Sequence, residues 1–295
     1  MLNQRLRVPF LYQLAKEMER RHIRGGTRLI RILRHVGALK RPADFAVSDT
    51  LDIRIPIGRN PFDQPYLDSY ESEFIASLIA EVNRLPLPAP ITLIDVGADI
   101  GLFSLKLVAH CPAISRICAF EPNSEGFSWL QFNLANLPKT IAHEAYSVAI
   151  ADFEGKGRLS VPDQRFYPGV ESSHAQYFIE PWANGAIEVK TIDSLIAPSK
   201  GSVVLKIDVE GGELSVLRGA ARLIAGMEQV VVAVEAHPAV VNRTGVDPVE
   251  CLRLLASLRP FRFVASETGT VLHVNAPIFD QIPPDQVYNL IASSQ

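Results

Sequence analysis

Acidic and glycine residues crowd three short stretches of the chain, and each crowding has a chemical meaning. Leu93-Ile-Asp-Val-Gly-Ala-Asp-Ile-Gly101 follows an apolar run and opens a helical one, the setting in which a glycine loop cradles a nucleotide-like ligand. Gly97 lets the backbone turn away from a strand end, and Gly101 lets helix and ligand approach closely. Asp95 and Asp99 lie on either side of Gly97 and Ala98. Two acids repel a pyrophosphate at a helix N-terminus that otherwise attracts anions, so a cationic or hydroxyl-bearing ligand suits the loop better. In Ala119-Phe-Glu-Pro-Asn123, Glu121 falls 20 residues after Gly101 at the end of the next apolar run. A carboxylate there can accept both hydroxyls of a ribose. Pro122 stops the strand, and Asn123 or Ser124 caps the helix that follows. In Leu205-Lys-Ile-Asp-Val-Glu-Gly-Gly-Glu213 the residues Lys206, Asp208 and Glu210 alternate. An extended strand puts them on one face, about 6.5 to 7 Å apart, on the floor of a cleft at the carboxyl ends of the strands.

Removing a proton from an acceptor needs a base, and the candidates are Asp208, His237 and His174. His237 follows Glu235, which could orient its imidazole, although a histidine before Pro238 could equally cap a turn. Lys206 can pair with Asp208 or Glu210. Alternatively Asp208, Glu210 and Glu235 offer Mg²⁺ the carboxylate oxygens that hard cations take. No His/Cys cluster supports zinc or iron.

The elements that must position these groups follow from periodicity. Ile91–Val96, Ile114–Glu121, Ala142–Ile150, Val203–Val209 and Gln229–Glu235 read as strands. Helical runs lie between them at 101–110, 124–137 and 213–225, and a further helix at 247–258 follows the last strand. Apolar strands alternating with helices imply an α/β fold with a mostly parallel sheet covered on both faces. Phe261–Ala265 and Val271–Asn275 read as its closing antiparallel pair. Before the sheet, 51–56 alternates like a short strand and 69–85 forms an apolar helical face. Residues 161–186 hold prolines, aromatic residues and His174 without periodicity, as a lid or binding loop would.

Charge divides the chain further. Residues 1–41 hold eleven Lys or Arg against Glu17 and Glu19, a net +9, while the remainder holds 18 basic and 30 acidic residues, a net −12. The apolar spacing in this arm predicts two helices separated by Gly25-Gly26, with Thr27 as a cap. The arm reads either as a helical hairpin packed on the body or as a basic face for anionic lipid. The divisions are therefore a basic helical arm at 1–41, a lead-in at 42–87, and a main domain at 88–295 carrying the aromatic insertion 161–186. Hydrophobic residues at 47% and charged residues at 21% exclude disorder. No apolar run reaches the roughly 20 residues of a membrane span. No apolar segment with a small-residue cleavage site follows Met1 to Arg7. With three unpaired cysteines as well, a cytoplasmic protein is expected. Without aromatic-basic interleaving or a reader motif, nucleic acid is not an expected partner.

The acids at the glycine loop favour S-adenosylmethionine over NAD. Asp95-Val-Gly-Ala-Asp-Ile-Gly101, Phe120-Glu-Pro122, Asn133, Lys206-Ile-Asp-Val-Glu-Gly211 with Glu213, Leu217-Arg-Gly-Ala220 and Val234-Glu-Ala-His-Pro238 together resemble the FkbM family. That family commonly has Asn at the position of Asp99 and Ala at that of Gly212. The resemblance implies a Rossmann-like class I fold and S-adenosylmethionine-dependent O-methylation of a carbohydrate, glycolipid or other small-molecule hydroxyl. It also implies a cofactor site at Asp95, Gly97, Ala98, Asp99, Gly101, Glu121 and Asn123, with His237 and Asp208 as catalytic candidates. Two alternatives stand beside it: a nicotinamide oxidoreductase, weakened by the missing third glycine of the dinucleotide motif, and a degenerate cofactor-binding module that acts through its basic arm.

Overall fold

Strands buried on both faces need apolar residues throughout, and four runs of the chain largely supply them, while a fifth, more exposed, pairs parallel at the sheet edge. In the computed structural model, which describes residues 6–39, 41–57, 63–86, 90–160 and 178–295, the strands are β1 (Ile91–Val96), β2 (Ile114–Phe120), β3 (Ala142–Tyr146), β4 (Ser202–Ile207) and β5 (Gln229–Ala236). Two more, β6 (Phe261–Ala265) and β7 (Tyr288–Ser294), complete a seven-stranded sheet in the order β3-β2-β1-β4-β5-β7-β6. β7 runs antiparallel to both of its neighbours and the other pairings are parallel. This is the α/β, Rossmann-like fold with a mostly parallel sheet that the alternation of strands and helices implies. The strand order reverses between β1 and β4, and a ligand crevice opens at such a reversal.

Several boundaries differ from the periodic reading. The closing pair joins Phe261–Ala265 to Tyr288–Ser294, whereas Val271 makes a lone bridge to Val264. β7 is buried along almost its whole length, so it shows no alternation, and its Ser293 and Ser294 are buried with partners. The third strand breaks after Tyr146, and Ala149–Ile150 joins a separate four-stranded sheet with Ile187–Lys190, Gly155–Ser160 and Phe178–Pro181. Part of the aromatic insertion is thus a strand. Residues 161–177, with His174, lie outside the described residues. The helix at 213–225 is two, Glu213–Arg218 and Ala221–Gly226. A side chain at Gly219, between them, would meet the Ala151 carbonyl at 2.1 Å.

The lead-in is packed into the body. Strands Pro42–Ala46 and Asp52–Pro56 pair antiparallel, the helix expected over 69–85 runs from Ser72 to Arg84, and a further short helix, Gln64–Ser69, precedes it across a turn at Tyr70-Glu71. Glu81 of the second helix accepts from Arg262 (2.6 Å) and Ser293 (2.9 Å), fastening it to β6 and β7. The arm forms helices Phe10–Arg20 and Gly26–His35, with Gly25 rather than Thr27 at the second cap. A side chain on Gly26 would come within 2.8 Å of the Ala15 carbonyl, so glycine sets how closely the helices cross. Tyr12, Ala15, Ile30 and Leu33 belong to the same apolar cluster as Leu93 and Val204 of the sheet. None of the described helices is long and apolar enough to cross a membrane.

Candidate functional site

The carboxyl ends of β1, β2, β4 and β5 carry the site. Gly97 adopts φ 80°, and a Cβ there would fall 1.9 Å from the Asp208 carbonyl oxygen. Only glycine lets the loop after β1 pass beside the loop after β4. The Gly97 and Ala98 N–H groups both donate to the Phe120 carbonyl at 3.0 Å, stitching the loop to β2. Asp99 sits in the left-handed region at φ 49°, which Asn and Asp enter more readily than other residues. An Asn-to-Asp exchange relative to the family is therefore conformationally conservative, though it adds charge. Gly101, φ 86°, leads into the helix Leu102–His110. Asn133, fully buried, donates to the Ile100 and Arg54 carbonyls at 2.9 and 3.1 Å and so ties the lead-in hairpin to the loop.

Glu121 reaches back from the end of β2. Its two oxygens accept from the N–H groups of Asp99 (2.9 Å) and Asn123 (2.7 Å). Both of its oxygens are thus engaged, one by the loop after β1 and one by the start of the helix after β2. Asn123 caps the helix Ser124–Leu134, its Oδ1 accepting from the Glu125 and Gly126 N–H groups. That settles the choice between Asn123 and Ser124.

Beneath the loop lies a charged cluster. Asp95 is fully buried; its Oδ2 accepts from Ser104 at 2.6 Å, while Oδ1 stands 3.6 Å from Lys206 and accepts no hydrogen bond. Lys206 Nζ donates to Asp208 Oδ2 (3.2 Å) and to the Gly97 carbonyl (3.4 Å). Burial alone would push this ammonium down. Asp208, Asp95 and Glu71 instead hold it above the usual lysine range, so it stays charged. The periodic reading missed Glu71. It enters from the lead-in, where a lone acid at a helix start looks like ordinary terminal charge. Burial pushes its carboxyl up to about 7 against the pull of Lys206.

Asp208, Glu210 and Glu235 bring carboxylate oxygens within 4.8 Å of one another. Burial, then repulsion from Asp208 and the neighbouring acids, raises the Glu210 and Glu235 carboxyls above the ordinary range. Glu213 holds the loop after β4 in place: its Oε1 accepts from the Val209 and Gly211 N–H groups at 3.2 and 3.0 Å. His237 and Glu235 line a cavity of about 30 Å³, the room of a single water. His237 caps the helix Pro238–Thr244, its Nδ1 accepting from the Ala239 N–H at 3.0 Å. The neutral ring then carries its proton on Nε2. Burial lowers its proton affinity, opposed by Asp208.

Comparison with known proteins follows the same outline. Residues 95–263 match the family model of the methyltransferase FkbM domain. The hexuronic acid methyltransferase AglP of Haloferax volcanii is 28% identical over 169 residues, 56% of this chain and 61% of that protein. Methyltransferase 1 of Beauveria bassiana is 31% identical over 150 residues, 45% of this chain and 60% of that protein. The chain thus spans about three fifths of the length of these two relatives. A crystal structure of a methyltransferase FkbM from Methylobacillus flagellatus aligns at 20% identity and TM-score 0.43, covering 68% of this chain and 43% of that one.

Proposed function

The chain belongs to the FkbM methyltransferase family, and on that premise we propose that it moves a methyl group from S-adenosylmethionine to a hydroxyl of a carbohydrate or glycolipid. The observation that carries this reading is the excess of carboxylates over Lys206 around the glycine loop. That excess suits a sulfonium amino acid and opposes a pyrophosphate. Gly97, Ala98, Asp99 and Gly101 would form the turn against the donor, and Glu121 would accept its ribose hydroxyls. Asp95 would act from below by anchoring Lys206. When bound, the donor supplies an electrophilic methyl group. The chain's part is to align the acceptor oxygen and take its proton.

Asp208 is the better-placed base. Its side chain is a third exposed just after β4, and Lys206 holds one of its oxygens. His237, with Nδ1 committed to the Ala239 N–H, is suited to orient groups rather than to take the acceptor proton. A carbohydrate acceptor is supported by the hexuronic acid methyltransferase relative. Trp182 within the insertion is half exposed, with the Arg158 guanidinium 4.2 Å over one face of its ring.

The convergence of Asp208, Glu210 and Glu235 favours a second reading of the same chemistry, in which these carboxylates hold Mg²⁺ beside the acceptor. Activity lost in EDTA and restored by Mg²⁺ supports it; indifference to EDTA removes it. For the main reading, calorimetry with S-adenosylmethionine and NAD comes first, then labelled-methyl transfer to mixed glycans. Binding of NAD alone would make the protein an oxidoreductase. Donor binding with no transfer to any acceptor would leave a degenerate module.

A further inference from the structure

A helix cap ordinarily turns its side chain onto the first free N–H groups of the helix. Glu71 occupies that position for Ser72–Arg84, yet its side chain makes no capping bond and its backbone is left-handed at φ 47°. A glutamate has no intrinsic reason to adopt that conformation. The surroundings impose it: Lys106 Nζ donates to the carbonyls of Leu67 (2.7 Å), Asp68 (3.3 Å) and Tyr70 (2.7 Å), fixing the turn just before Glu71. Lys106 comes from the helix that the glycine loop opens. The loop and the turn are therefore one rigid unit.

The turn sends the Glu71 carboxylate inward. Its Oε2 is shielded from solvent and accepts no hydrogen bond, although the Tyr70 hydroxyl bonds the same carboxyl group; the charges that act on it are Lys206, Asp208 and Asp95. Lys206 is already shared among Asp208, Asp95 and the Gly97 carbonyl. One ammonium is shared among three carboxyl groups, and Glu71 Oε2 is left as an unused acceptor beside the loop. A buried acceptor without a donor is costly, so a ligand bearing a cationic N–H group completes the site.

We propose that Glu71 binds the positively charged amino-acid end of the methyl donor. The inference rests on the S-adenosylmethionine reading above. Glu71 precedes the matched region 95–263, so the lead-in becomes a working part of the donor site.

Calorimetry on the full chain tests this with S-adenosylmethionine, S-adenosylhomocysteine and 5′-methylthioadenosine, which lacks the amino-acid end. Glu71→Gln should weaken the first two at least about tenfold and leave the third unchanged. Unchanged affinities for all three, or equal weakening of all three, would overturn the proposal. On the wild type itself, S-adenosylhomocysteine without its α-amino group should bind correspondingly worse, and equal binding would again overturn it. A wild type that binds none of these ligands overturns the donor reading itself, and Glu71's part falls with it.

Discussion

At Gly97 a single hydrogen decides whether two loops can coexist. A methyl group there would lie 1.9 Å from the backbone oxygen of Asp208, far inside van der Waals contact. Gly97→Ala should therefore abolish donor binding in calorimetry, and it should lower the melting temperature because neither loop can yield without breaking its strand pairing. His237 can be separated into its two roles. His237→Asn keeps a capping side chain, whereas His237→Ala loses a cap worth about 1 kcal/mol. Because Nδ1 is already an acceptor, the rising limb of the rate-against-pH profile should persist in His237→Asn. Its disappearance would return the imidazole to the role of base. The carboxylates set a third expectation. Glu71, Glu210 and Glu235 all hold protons more tightly folded than unfolded, so the folded state binds more protons and stability must fall as pH rises. The fall begins near the ordinary carboxylate value of about 4.5 and runs through about 7 for Glu71, with Glu210 and Glu235 extending it upward. Melting temperatures measured in EDTA across this range should decline. Glu210→Gln should flatten the slope.

Elements show which of these arrangements the sequence exposes. β1, β2, β4 and β5 were legible because each is a largely apolar run ending in a chemically loaded turn: Gly97, Glu121, Asp208 and His237 stand where strand-end residues should. β7 was not, since full burial removes alternation and the two serines read as a polar tail, although one bonds Glu81 and the other Gln229. The short helix Gln64–Ser69 and the turn at Tyr70-Glu71 were hidden for a different reason: what holds the turn is Lys106, more than thirty residues away in sequence, donating to the Leu67 and Tyr70 carbonyls. Lys106→Met should therefore do more than loosen a helix end. Losing these charge-assisted bonds costs about 1.5 to 3 kcal/mol, readable by urea unfolding, and the freed turn should let Glu71 withdraw and weaken donor affinity. If stability falls while donor affinity holds, the turn does not depend on Lys106 to present Glu71.

Over the whole molecule, a basic arm of net +9 sits on a body of net −12. The arm's inner face is committed to the body through Tyr12, Ala15, Ile30 and Leu33 in the shared core, and Arg20 reaches Asp63 at 3.1 Å. Removing residues 1–41 would expose that core, so deletion should cause aggregation and cannot test what the outer face does. That face keeps Phe10, Leu14, Ile32 and Val36 exposed. Its second helix also borders an open cleft of about 900 Å³ lined by Arg24, Arg28, Arg31 and His35. Acids neutralise the first helix, where Glu17 pairs with Arg20 and Arg21, whereas Arg24, Arg28 and Arg31 make no ion pair among the described residues. Exposed apolar groups beside unpaired arginines fit an anionic lipid surface, where each basic residue contributes about 1 kcal/mol. We propose that the outer face meets such a surface. The discriminating variant reverses Arg24, Arg28 and Arg31 to glutamate without touching the inner face. It should keep the wild-type melting temperature and activity on a soluble acceptor, yet lose sedimentation with phosphatidylglycerol vesicles, and the wild type should ignore neutral phosphatidylcholine. Wild-type protein that stays in the supernatant with both kinds of vesicle would leave the arm as a packed cap, its arginines only balancing the charge of the acidic body.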